Sequence, residues 1–345
     1  LGFQIIPDLQ SASTLEDILK SCQNILAKRN DYDFDIDGAV IKLNNFSNQS
    51  DLGYTNKAPR WAVAYKFPAE QVSTILEDII IQVGRTGILT PVGRLQPVRV
   101  GGAMVSRVNL HNLEDIQRKD LHIGDKVLVQ RAGDVIPEVV KSLETYSSSK
   151  HFQMPTTCPV CQTEAIKPIG EVAYRCPNWH CDAQFKGRVI HFVSKLAMNI
   201  DGLGESLVET LVDEGLVKSL ADLYTLNREN ILKLDRMGEV SCNNLFNAIQ
   251  ASKQIALDRF IYALGIPHVG TATASLLADE FQSFDKLQQA SFETLVNLHE
   301  IGDKMAEALV DTFQRDDFQA IITALFDAGV APFYVSLDTK DLPLS

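Results

Sequence analysis

An apolar residue followed by glycine recurs four times in the second half of this sequence, at Leu203-Gly204, Met237-Gly238, Val269-Gly270 and Ile301-Gly302, with spacings of 34, 32 and 32 residues. Seven residues beyond each glycine stands a leucine: Leu211, Leu245, Leu277 and Leu309. Glycine permits a tight turn, and the leucine lies on one face of the helix that follows. Such a helix-turn-helix unit cannot bury its apolar face alone, so the four must stack. The pattern commits residues 195–330 to an all-helical body. The same period would suit a tetratricopeptide or ankyrin solenoid, whose aromatic and Thr-Pro-Leu-His signatures are absent here, and that array stays as the alternative.

A glycine turn that opens a helix also presents outward N–H groups and the positive end of the helix dipole, which can grip a phosphate without a basic side chain. This matters because the formal net charge of the chain is -12, whereas phosphate binding usually runs on Lys and Arg. The first turn holds Gly202 and Gly204 and the third holds Gly265 and Gly270, which makes these four the candidate DNA contacts. The other two turns read as packing elements, and Glu300 beside the last would repel phosphate. Charge is unevenly spread: residues 81–200 carry 15 Lys+Arg against 10 Asp+Glu, and residues 201–345 carry 10 against 23.

Cys158, Cys161, Cys176 and Cys181 form C-x2-C and C-x4-C pairs with fourteen residues between them, the two-knuckle spacing that holds one tetrahedral zinc through four thiolates. A C-x3-H set using His180 would also be tetrahedral and remains open. Closed coordination leaves no position for a reacting group, so this zinc is expected to fold its module and to catalyse nothing. Cys22 and Cys242 have no partner at metal spacing and read as buried thiols.

Ahead of the cysteines, residues 1–80 mix a helix over about 14–28 with strand-like runs at 36–43 and 61–67. From Asp78 to about Lys141, short β-rich runs are broken by glycine turns, with one short helix near 113–119, and this suggests a small barrel. In the stretch FDIDGAVIK, a strand would put Gly38, Val40 and Lys42 on one face and Asp37, Ala39 and Ile41 on the other. In WAVAYKF, Ala62, Ala64 and Lys66 share a face opposite Trp61, Val63, Tyr65 and Phe67. Two alanines beside a lysine leave room for a planar or phosphorylated ligand, with an ammonium to meet its negative charge.

FDIDGAVIK and APRWAVAYKFPA resemble the fourth and fifth nucleotidyltransferase motifs of bacterial NAD+-dependent DNA ligases. The order that follows, with VGRTG, LHN and RAGDVIP in a basic barrel, then four cysteines, then four glycine turns, is similar to that family over about residues 31–330. The resemblance implies a multi-domain α+β chain: the C-terminal part of a nucleotidyltransferase (adenylation) domain at 1–77, an OB-fold barrel at 78–145, a four-cysteine zinc-finger module at 151–190, a helix-hairpin-helix domain at 195–330 and a linker at 331–345.

It implies nick sealing in three steps, used in DNA replication and repair. A lysine in K-x-D-G takes AMP from NAD+, the AMP passes to the 5′-phosphate of a nick, and the 3′-hydroxyl displaces it. Carried over by motif, Lys42 and Lys66 would contact the adenylyl phosphate, while Asp37 would act with Mg2+ or Mn2+. Because Asp37 and Lys42 differ in parity, Asp37 is expected to sit where Gly38 lets the chain turn. Arg85, His111, Asn112 and Arg131 would approach phosphates flanking a nick. No K-x-D-G occurs in this sequence, and its end at DLPLS is where family members usually continue into a BRCT domain.

The chain opens on Leu1 and its first methionine is Met104, so the natural start is expected upstream. With no apolar run of about twenty residues and no signal sequence, the expectation is a bacterial cytoplasmic protein, monomeric, bound to nicked duplex DNA and to no membrane. The alternative is a noncatalytic nick- or junction-binding protein that keeps the barrel, the zinc module and the hairpins.

Overall fold

The computed structural model describes residues 8–55, 58–132 and 136–336. They divide into two units, the first made of Leu1–Gln82, Leu89–Thr156 and Lys167–Tyr174, the second of Val83–Ile88, Thr157–Ile166 and Arg175–Ser345.

The first unit opens with helix α1 (Leu15–Ala27), whose N-cap Thr14 accepts a hydrogen bond from the Asp17 backbone at 3.2 Å. Glu16 and Asp17 then complement the helix dipole, and Cys22 is buried, as a structural thiol should be. Strand β1 (Gly38–Lys42), helix α2 (Phe46–Leu52) and strand β2 (Ala62–Lys66) follow, and β1 and β2 form a two-stranded antiparallel sheet. The barrel then runs through β3 (Gln71–Val83), β4 (Ile88–Val100), β5 (Ala103–Asn109), helix α3 (Leu113–Arg118), β6 (His122–Ile123), β7 (Lys126–Ala132), β8 (Ile136–Glu144) and β9 (Lys150–His151). The chain pairs β4 with β3, β3 with β7, β7 with β8, and β5 with β4. Inside lie Leu76, Leu95, Val108, Leu110, Val127 and Val129. These come from alternate positions of the strands, the period that puts one face inward.

After β10 (Tyr174–Arg175), the second unit runs through α4 (Asp182–Val193), α5 (Glu205–Asp213), α6 (Arg228–Leu232), α7 (Glu239–Ser252), β11 (Gln254–Ala256), α8 (Leu257–Ala263), α9 (Thr271–Phe281), α10 (Phe284–Gln288), α11 (Phe292–Val296), α12 (Asp303–Gln314), α13 (Asp316–Asp327) and β12 (Ala331–Phe333). The repeat is physical: Leu211, Leu245, Leu277 and Leu309 are 0%, 1%, 0% and 0% exposed in one continuous core. Leu277→Ala is therefore expected to cost about 2–5 kcal/mol, read as a shifted denaturant midpoint with an unchanged slope.

The turns differ from expectation in one respect. The repeated glycines Gly204, Gly238, Gly270 and Gly302 are helix N-caps with φ of -73°, -93°, -93° and -92°, values open to any residue. The left-handed residue stands two places earlier, at Gly202, Arg236, His268 and Glu300, with φ of 91°, 61°, 67° and 74°. At that position only the first turn has a glycine, although the third turn has a left-handed glycine of its own at Gly265, with φ of 67°. Strand β12 pairs in parallel with β11, Ala331 opposite Gln254, so the stretch read as a linker begins inside the fold. Its last part, residues 337–345, lies outside the described residues.

Candidate functional site

The two lysine-bearing strands meet in one register. Gly38 stands opposite Lys66, Val40 opposite Ala64 and Lys42 opposite Ala62. Directly paired residues of an antiparallel sheet share a face. Lys42 and Lys66 therefore end the same strip, floored by Ala62 and Ala64, with four residues or about 14 Å between them along the strand. Gly38 is needed for a reason that strand parity does not reveal. A Cβ there would lie 2.5 Å from the Tyr65 carbonyl oxygen and 3.1 Å from Lys66 Cα, so glycine lets the strands close rather than turn. Gly38→Ala should open this pair, and Lys66 would lose its partner before the fold is lost, visible as a local gain in amide exchange on β1.

Asp37 lies just before β1, and its carbonyl accepts from the Phe67 N–H at 3.0 Å. Outside the regular strand its side chain escapes the parity rule and forms an ion pair with Lys66 Nζ. That hydrogen bond from Lys66 holds the Asp37 carboxyl below the usual carboxylate range, against a smaller opposing effect of burial. Lys42 is exposed and makes no ion pair among the described residues.

The four cysteine sulfurs all lie within 4.8 Å of one another, with Cys158–Cys181 at 3.9 Å and Cys161–Cys176 at 3.4 Å. Thiolates about 2.3 Å from a tetrahedral zinc stand about 3.8 Å apart, so this set fits that ion. His180 is exposed and outside the cluster, which leaves four thiols as the ligand set. Sequence reasoning found no role for Trp179, between the last two ligands. The guanidinium carbons of Arg188 and Arg315 each lie 3.9 Å from its ring centroid, too close for both to share one face, so the indole is sandwiched. Arg188 Nη2 also donates to the Trp179 carbonyl at 2.9 Å, and burial, helped by Arg315, brings its pKa down to about 10. Arg315 is in turn held by Asp317 at 2.5 and 3.0 Å.

Other anticipated residues have partners of their own. Arg85 Nη1 donates to the Gly265 carbonyl at 3.0 Å, and His191 Nε2 lies 2.8 Å from the Tyr262 carbonyl. Together they cap the C-terminal end of α8, where cations are favoured. Burial lowers the pKa of both groups. Arg85→Ala is expected to cost about 1.5–3 kcal/mol of stability through this charged hydrogen bond, measured by thermal unfolding. Arg131 Nη1 likewise donates to the Gly101 carbonyl at 2.6 Å. Asn112 is the N-cap of α3, accepting from Asp115 at 2.8 Å, while His111 is exposed with φ of 61°. Gly133, Asp134 and Val135 of RAGDVIP lie outside the described residues.

At the hairpins, none of the four glycine-opened helices has a side chain capping its first turn. Thr14, Asn45, Asn112, Asn227, Ser283 and Ser291 do cap theirs. A Cβ at Gly204, Gly238, Gly270 or Gly302 would meet nothing within 4 Å. Neither φ nor internal packing asks for glycine there. Of the four helices only α9, behind Gly270, has no acidic residue in its first turn.

Comparison with known families finds four matches along the chain. Residues 1–70 match the NAD-dependent DNA ligase adenylation domain, 73–151 its OB-fold domain and 157–183 its C4 zinc finger domain, while 259–322 match a helix-hairpin-helix motif. The chain belongs to the NAD-dependent DNA ligase family. Relatives named DNA ligase include those of Anoxybacillus flavithermus, 48% identical over 97% of this chain and 50% of theirs, and of Bacillus subtilis, 46% identical over the same shares. That of Macrococcus caseolyticus is 44% identical over 100% of this chain and 52% of its own. The chain thus spans about half the length of these ligases. Among the described residues no helix is long and apolar enough to cross a membrane.

Proposed function

We propose that this chain is the phosphate-handling and DNA-gripping half of a ligase that uses NAD+ to seal nicks in duplex DNA, acting as a monomer in the bacterial cytoplasm during replication and repair. The observation that carries the reading is the strip on which Lys42 and Lys66 flank two alanines, with Asp37 against Lys66. An adenylyl group lying on the alanines would bring its phosphate to an ammonium already oriented by a carboxylate. Lys66 would then meet charge developing on the phosphate without reorganising. Asp37, a single half-exposed carboxylate, suits Mg2+ or Mn2+, which take one or two carboxylates and complete their shell with water and substrate phosphates; such an ion would neutralise phosphate charge.

DNA is assigned to the hairpins on the uncapped N–H groups behind Gly204 and, above all, Gly270. The first, second and fourth helices begin with Glu205, Glu239 and Asp303, which disfavour phosphate, so the turn at Gly270 carries most of this assignment. Arg85 and Arg131 each spend one of five guanidinium N–H donors on a carbonyl, leaving others for a phosphate, as His111 is free to do. The test is Gly270→Val in this chain, with affinity for a nicked duplex read by fluorescence anisotropy. Because the new side chain meets open space, the melting temperature should hold while affinity falls about tenfold or more. Unchanged affinity would leave the turn as packing, and failure of the unmodified chain to bind any duplex would remove DNA from the reading.

A further inference from the structure

Of the six cysteines, five are buried and one is not. Cys161 closes the first C-x2-C pair at the tip of its knuckle, between Val160 and Gln162, both exposed, with Gln162 in the left-handed region at φ of 61°. Its sulfur lies 3.4 Å from that of Cys176, which is 3% exposed, while Cys158 and Cys181, both 0% exposed, stand 3.9 Å from each other. A structural zinc site gains nothing from an open ligand, since a sulfur that water reaches is one that oxidants also reach. When the site holds zinc its thiols are deprotonated outright, and the thiolate is the nucleophilic form of cysteine. The cluster therefore sets one accessible thiolate in front of a second, buried sulfur, which is the arrangement of a redox-sensing pair.

We propose that Cys161 is an oxidation site for hydrogen peroxide, with Cys176 as the resolving cysteine, and that this modification releases the zinc and loosens the module. In the first step the Cys161 sulfur attacks one peroxide oxygen, the O–O bond breaks, the departing hydroxide takes a proton from solvent, and Cys161 becomes a sulfenic acid. In the second the Cys176 thiolate attacks that sulfur, an S–S bond forms, the S–O bond breaks, and a second hydroxide leaves and is protonated to water. Two electrons pass from the two sulfurs to one peroxide, which ends as two water molecules, and zinc departs as the unchanged divalent ion. Two of the four ligands are then gone, too few to keep a structural site closed. The consequence reaches past the knuckles, because the Cys176 N–H donates to the Gly87 carbonyl at 2.8 Å and Gln184 Nε2 donates to the Cys176 carbonyl at 2.9 Å. Peroxide thus loosens the second unit reversibly, whatever its hairpins bind.

The test is the full chain loaded with zinc and treated with hydrogen peroxide. Metal release is followed with a chromogenic chelator, sulfenic acid is trapped with a 1,3-diketone, and disulfides are mapped by peptide mass spectrometry. Zinc should be lost in step with one new disulfide between Cys161 and Cys176, the early trapped adduct should sit on Cys161, and a dithiol with added zinc should restore the starting state. Cys161→His keeps a tetrahedral set of three thiolates and one imidazole, so it should hold zinc yet release it to peroxide at least about tenfold more slowly. Release from that variant as fast as from the parent would overturn the proposal. So would an adduct spread evenly over the four ligands, or found first on Cys22 or Cys242, a result read on the parent chain and independent of whether the variant folds. Zinc retained at peroxide levels that oxidise free cysteine, or a parent that takes up no zinc, would overturn the release.

Discussion

Stripping the four-cysteine site with a strong chelator, or substituting Cys158→Ser, is expected to unfold the cysteine module and to abolish the sharp thermal transition of the second unit. The sulfurs are already 3.4–3.9 Å apart within each close pair, and Cys158, Cys176 and Cys181 are at most 3% exposed. With so few strands around them, the metal supplies what a core would. Structural zinc is worth roughly 10–16 kcal/mol of apparent binding energy, comparable to the whole stability of an ordinary domain at about 5–15 kcal/mol. The loss should spread beyond the module. Cys176 N–H donates to the Gly87 carbonyl at 2.8 Å, Gln184 Nε2 donates to the carbonyls of Cys176 and Asn178 at 2.9 Å each, and Trp179 is clasped by Arg188 and Arg315. The chain has two tryptophans. In a Trp61→Phe background, chelation should therefore move the Trp179 emission as zinc leaves, and circular dichroism should follow it. A melting profile that is the same with and without chelator would mean that the thiols pack without metal.

Much of this architecture was legible because it is written in short-range patterns. The leucine seven places after each glycine marks a core face, and C-x2-C with C-x4-C leaves few geometries other than one tetrahedral ion. Strand parity also carried: it placed Lys42 with Gly38 and Val40, and Lys66 with Ala62 and Ala64. What parity could not do was join the two strands, because register depends on pairing across the 19 residues, 43–61, that separate them. The place of Asp37 ahead of the strand could be read from its conflict of parity with Lys42. Its ion pair with Lys66 could not, since a side chain one residue outside a strand is free of the alternation. The fates of Arg85 and Arg131 were hidden altogether. Whether an arginine is displayed or caps a carbonyl is decided by a contact 180 residues away for the first and 30 for the second. The repeated glycines were recognised for the wrong property, a turn conformation that in fact belongs two positions earlier; their own signature is the space in front of them.

Lys66→Ala in the full-length ligase is expected to cut AMP transfer from NAD+ by about 10²–10³-fold while leaving affinity for nicked DNA within about twofold. The expected size is that of losing one preorganised charge aimed at a transition state. DNA should be indifferent because Lys66 sits on the alanine strip of β1 and β2, and the uncapped turns at Gly204 and Gly270 belong to the other unit. Asp37→Asn separates orientation from charge: the ammonium stays but its partner weakens, so the loss should be smaller than for Lys66→Ala and should appear in the rate rather than in NAD+ affinity. The pH dependence has a definite sign. Lys66 holds the folded-state pKa of Asp37 below its ordinary value, so the pair contributes fully above about pH 5 and fades only as pH falls through that depressed value. Between about pH 6 and 8 the wild type and Asp37→Asn should therefore differ by a constant factor, measured as adenylylated enzyme per unit time. A gap that closes toward pH 6 would mean that Asp37 titrates in the working range and that its pairing with Lys66 is not what orients the lysine. If DNA affinity fell as far as adenylylation in Lys66→Ala, the strip would be a DNA surface, and Lys42, at its other end with no internal partner among the described residues, would have to be read as a phosphate-backbone contact as well.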